Sequence, residues 1–80
     1  MDETVSARIN DLVDEEHRLL GKASPGEPLA EADEARLRHL DVELDQCWDL
    51  LRQRRARREA GLDPDGAAIR PEDTVERYQQ

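Results

Sequence analysis

Three groups of residues in this chain have the side-chain types for chemistry: the acids and histidine of 14–17, the pair Cys47 and Trp48, and the arginines of 52–58. Asp14 stands three residues before His17. That is half of the Glu-x-x-His arrangement which helical bundles use twice, with two further carboxylates, to hold a pair of metal ions. The second half is missing, because Arg36 occupies the place three residues before His39. No metal site and no cofactor are expected.

Cys47 lies between Asp45 and Asp49, more than a helical turn from the arginines. A reactive thiol needs exposure and neighbouring cations that stabilise its thiolate. A small buried hydrophobe is the better reading of Cys47. Trp48 beside it is expected to be the largest contributor to the core, at about 25 cal/mol for each Å² of apolar surface removed from water.

Arg52, Arg54, Arg55, Arg57 and Arg58 form the run RQRRARR. Cations near a helix C-terminus are favourable by about 0.3–1 kcal/mol each, and Arg52 follows Asp49 at the spacing of a surface pair. Beyond those roles the run reads as a docking surface. As a phosphate-contacting helix it lacks interleaved aromatic residues on which bases would stack, which favours a protein partner over nucleic acid.

The elements that carry these groups follow from periodicity. Leu37, Leu40, Leu44, Cys47 and Leu51 recur at steps of three and four, the spacing of one helix face, and Trp48 widens it. Past Leu51 the same positions hold Arg54 and Arg58, so one helix passes from an apolar seam to a basic end. Val5, Ile9, Leu12 and Leu19 mark a first helix over 3–20, broadened by Val13 and Leu20. Glu16 interrupts its stripe; it either reaches solvent at the edge or pairs with an arginine and fixes register. Gly21 is read as the C′ stop of this helix. The loop 21–28 contains GKASPGEP, too rich in Pro and Gly to continue it. The second helix is predicted over 30–60, without an evident side-chain N-cap, and Gly61 and Pro64 stop it.

A short connection favours antiparallel neighbours, with Leu12 near Leu40, Ile9 near Leu44 and Val5 near Trp48. The second helix then overhangs the first, leaving nothing in helix one to face the arginines. Hairpin residues 1–61 are followed by a tail, 62–80, with a short helix over 71–78 opened by Pro71. Either Ile69, Val75 and Tyr78 dock on the overhang and cover Leu50 and Leu51, or the tail frays as chain ends do.

Composition bounds the rest. Eighty residues make one small domain with a modest core. One cysteine excludes an internal disulfide and suits a reducing cytoplasm. No apolar run approaches the roughly 20 residues of a membrane span. The net charge of −8 divides unevenly: −9 over residues 1–51, +5 over 52–58 and −4 over 59–80. An acidic body repels phosphate at long range, so neither nucleic acid nor membrane is expected as a partner.

The segment LDQCWDLLRQRRA, Leu44 to Ala56, resembles the core motif of a family of short actinobacterial proteins grouped as a domain of unknown function. The resemblance extends to ARI…LV-EEH-L from Ala7 to Leu19, to REAG-DPD from Arg58 to Asp65, and to RP-E-VE-Y from Arg70 to Tyr78. The family pattern has Ser-Pro where this chain has Ala30 and Glu31. The resemblance implies a helical hairpin and brings no activity, cofactor or catalytic residue.

The sequence therefore predicts an all-α, coiled-coil-like antiparallel hairpin with a tail helix, closing as a homodimer into a four-helix bundle. The core seam is Val5, Ile9, Leu12, Leu19, Leu37, Leu40, Leu44, Cys47 and Trp48. The partner-binding residues are Leu50, Leu51, Arg52, Arg54, Arg55 and Arg58. The expected role is a non-enzymatic interaction module in the cytoplasm, binding itself or an unidentified protein. The alternative is a nucleic-acid or ribonucleoprotein accessory using Arg52–Arg58.

Overall fold

The computed structural model describes residues 2–72, 74 and 75. Two helices dominate, α1 over Asp2–Leu20 and α2 over Glu31–Glu59, followed by a 3-10 turn at Pro64–Gly66. No β-strand occurs among the described residues; a lone bridge joins Ser24 and Glu27.

α1 opens on Asp2 and Glu3, whose charges suit the positive end of the helix dipole. Its end differs from the expected left-handed stop. Gly21 does not adopt a positive φ. The helix instead tightens through bonds from Lys22 N to Leu19 O (3.1 Å) and from Ala23 N to Leu20 O (3.2 Å), the i+3 pattern that satisfies terminal carbonyls. The connection then reverses at Ser24-Pro25-Gly26-Glu27. Glu27 N donates to Ser24 O at 2.9 Å, and Gly26 sits at φ +83°, the backbone that a type II turn demands of its third residue.

α2 starts one residue later than the sequence suggests, behind Ala30, which makes no side-chain cap. Its far end is a Schellman motif. Gly61 at φ +75° lets Gly61 N reach Arg58 O (3.1 Å) and Leu62 N reach Arg57 O (2.7 Å).

The helices pack antiparallel around Ile9, Leu12, Leu19, Leu40 and Cys47, with Val5, Val13, Leu37, Leu44 and Leu51 half-buried against them. Ion pairs fix the register at the margin: Arg8–Glu43 (2.6 Å), Glu15–Arg36 (2.6 Å) and Lys22–Asp33 (3.5 Å). The sums of these residue numbers bracket the register expected from the apolar stripes.

Trp48 departs from the expected core. It is 49% exposed. Cys47 and Leu51 hold the seam, and Trp48 stands about 100° round the helix from Cys47, on the flank.

The tail returns along α2. Asp63 caps the 3-10 turn by accepting from Asp65 N (2.9 Å), and Arg57 Nε donates to Asp63 O. The Gln53 amide then clamps Ala68, donating to its carbonyl (2.8 Å) and accepting from its N–H (3.4 Å). Gln46 donates to Arg70 O (3.3 Å). Beyond Pro71, residues 72, 74 and 75 are helical, and Val75 is buried. Docking within the same chain is thus the outcome. Leu50 is buried and Leu51 half-buried, while Ile69 is 55% exposed rather than inserted. Tyr78 and most of the expected helix 71–78 lie outside the described residues.

The assembly is long and thin, with extents of 53 × 25 × 16 Å and a radius of gyration of 15.4 Å. A compact chain of this length would give about 12 Å.

Candidate partner-binding surface

α2 has three working faces, and the residue pattern assigns each. The first meets α1. At its basic end Arg54 is 8% exposed and donates to Asp2 Oδ1 at 3.1 Å, and Arg58 pairs with Asp2 Oδ2 at 3.0 Å. Partial burial works against the Asp2 charge, but the two arginines outweigh it and hold its carboxyl below the ordinary range. Two expectations change here. Arg54 and Arg58 are engaged within the chain, and α1 does supply a partner for the overhang: long arginine side chains bridge the gap to its first residue.

The second face carries Gln46, Asp49 and Gln53, spaced so that they share one side of the helix. Asp49 is fully buried. Arg70 grips it in a fork, its Nε 2.8 Å from Asp49 Oδ2 and its Nη2 close to Oδ1. Gln53 adds a bond at 2.8 Å. The Arg70 guanidinium holds the Asp49 carboxyl below its ordinary range, more than offsetting burial. This site was absent from the sequence reading. A signal existed, since three polar residues on one side of α2 are a natural seat for backbone.

The third face is uncovered among the described residues. Leu37 and Leu44 are half-buried on it and Trp48 half-exposed; Val13 and exposed Leu20 of α1 lie along the same side. Asp41 is exposed there and accompanies Glu16. A hydrogen bond between the two carboxyl groups, with partial burial behind it, pushes Glu16 above its ordinary range. Glu16 thus meets another acid, whereas the neighbouring Glu15 takes the arginine: Arg36 donates to it at 2.6 and 2.9 Å and lowers its carboxyl.

The remaining arginines differ from one another. Arg55 is exposed and pairs with Glu59 one turn on, at 3.2 Å. Arg52 is exposed beside Asp49, whose charge it helps to stabilise. Cys47 is buried, and burial pushes its thiol up, away from the thiolate that a nucleophile needs. His17 is exposed, and His39 lies 3.1 Å from Glu43. Among the described residues no three His, Cys, Asp or Glu side chains converge as metal ligands, and no helix is long and apolar enough to cross a membrane.

An uncharacterised protein of Mycobacterium bovis and one of Mycobacterium tuberculosis are each 48% identical over 77 residues, covering 96% of this chain and 88% of theirs. No solved structure matches. The family model described as "Protein of unknown function (DUF2630)" matches residues 1–80, and the chain belongs to that family.

Proposed function

We propose that this protein is a non-enzymatic helical interaction module that docks a protein through the open face of its hairpin. One observation carries the reading. The only tryptophan of the chain stands 49% exposed amid half-buried leucines, away from the side of α2 that holds the described part of the tail. Aromatic anchors of this kind, ringed by apolar contacts, dominate the energetics of protein interfaces. The docking residues are then Trp48, Leu44 and Leu37, with Leu51 at the seam and Arg52 and Arg55 at the rim. Leu50, Arg54 and Arg58 serve the fold instead. The free, buried Cys47 suits a reducing cytoplasm.

A nucleic-acid role has less support, because Arg54, Arg57 and Arg58 already hold groups of their own chain. The test is a photo-crosslinking amino acid at position 48, with exposed Glu3 as the control position. A discrete adduct at 48 and none at 3 is the expected result in cells. No adduct at 48 would overturn the reading.

A further inference from the structure

The occupant of the open face is written in the residues along it. Asp41, Trp48 and Arg55 are spaced seven apart, and all three are exposed. Seven residues are almost two helical turns, so the three stand in one line: an acid, an aromatic centre and a base. Such a line is complementary to itself reversed. The described part of the tail lies on another side of α2, held by Gln46, Asp49 and Gln53.

We infer that a second copy of this chain docks there, antiparallel, with the two-fold axis passing Trp48. This inference rests on the docking face proposed above and names its partner. In that register each residue meets the one equally far on the other side of position 48. Trp48 packs on the partner's Trp48. Arg55 meets the partner's Asp41, and Arg52 falls opposite the partner's Leu44, one residue from the partner's Asp45. The Arg55 cation thus arrives at the Glu16–Asp41 pair, where one chain alone sets two acids together. The bond Arg55 gives up is a pair with Glu59 in which both side chains are more than two-thirds exposed, and such pairs contribute little.

Two further exposed leucines fit the same register. Leu20 lies beside the start of α2, near Asp33, since Lys22 reaches that residue. Leu62 just past the end of α2 is equally far from Trp48 in the other direction. The pairing brings the partner's Leu62 to the level of Leu20, and both are about half exposed in the single chain. Area agrees. The chain exposes 5665 Å², against about 4,900 Å² for a compact monomer of its mass. The excess, about 700 Å², is close to the roughly 800 Å² that each partner buries in a stable standard interface.

The test is solution mass by light scattering over a concentration series of the full chain, with folding of each variant checked by circular dichroism. The wild type is expected at twice 9.2 kDa. Trp48→Ala should remain helical and become monomeric. Arg55→Glu alone should weaken association about tenfold or more, through like charges at both ends of the axis. Combining it with Asp41→Arg restores attraction only in the antiparallel register, so the double variant should return to within about threefold of wild type. A dimer that ignores Trp48→Ala overturns the face, and a double variant no tighter than Arg55→Glu overturns the register. A monomeric wild type overturns the second copy as occupant. A discrete adduct to another protein at position 48 would then leave the interaction module standing, and no adduct would sink both.

Discussion

The two flanks of α2 invert the usual expectation. On one flank Gln46, Asp49 and Gln53 are polar, yet they are covered, Asp49 completely. On the other flank Leu44 and Trp48 are apolar, yet Trp48 is half open to solvent. The polar flank holds the chain's own tail by directional bonds to backbone and to Arg70, which specify one partner in one position. The apolar flank exposes surface whose attraction has no direction of its own, so any orientation there must come from the charged residues along it, Asp41 and Arg55. A small hairpin can thus bury its directional polar contacts and leave an apolar side chain at its surface.

That contrast can be broken in order of effect. Leu40, fully buried between the helices, supports both flanks. Leu40→Ala should cost about 3 kcal/mol and lower the melting midpoint by roughly 15 °C. A scan unchanged from wild type would mean the seam does not hold the hairpin. On the polar flank, Arg70→Ala leaves the Asp49 carboxylate buried without its fork. A loss of about 2 kcal/mol is expected in urea unfolding, together with faster proteolysis within 62–75. On the apolar flank, Trp48→Ala measured at dilution well below association should cost the single chain about 2 kcal/mol, since only half of the residue is removed from water, and it should leave the rate of proteolysis within 62–75 unchanged. Faster cleavage of that segment in the Trp48 variant would erase the distinction between the flanks.

The smallest effect is in pH. Asp49, Glu15 and Asp2 are all held below their ordinary ranges. Their stabilisation is present above the unfolded carboxylate range and is lost as pH falls through the lowered folded values. Glu16 runs the other way, since its folded value is raised. Its charge opposes folding at neutral pH, and the opposition fades as pH falls through that raised value. Glu16→Gln should therefore raise the melting midpoint slightly at pH 7, and the gain should shrink on acidification. A lowered midpoint at pH 7 would show that the Glu16–Asp41 contact is favourable as it stands.

Much of the hairpin was legible from spacing. The steps among Ile9, Leu12 and Leu19 and among Leu37, Leu40 and Cys47 name the facing stripes, and matching them end to end yields a register that Arg8–Glu43, Glu15–Arg36 and Lys22–Asp33 bracket. The family was legible from LDQCWDLLRQRRA. Trp48 misled because hydrophobicity says how much a residue gains by burial, not whether the neighbouring helix has room for it. Arg54 and Arg58 misled because a run of like charges looks free until the distance to a distant acid is known. Asp2 is separated from Arg54 by nearly the whole hairpin in sequence and by 3.1 Å in space.

The sequence by itself determined what depends on neighbours along the chain: two helices, the Pro25-Gly26 turn, the Gly61 stop, and the apolar stripes that set helix against helix. These are fixed by periodicity and by backbone sterics that act over a few residues. Only the tertiary structure decided which polar residues are buried, which arginines are engaged and which apolar residue faces water. Those outcomes turn on how far a side chain reaches across the gap between elements, and that gap exists only once α1, α2 and the tail are packed.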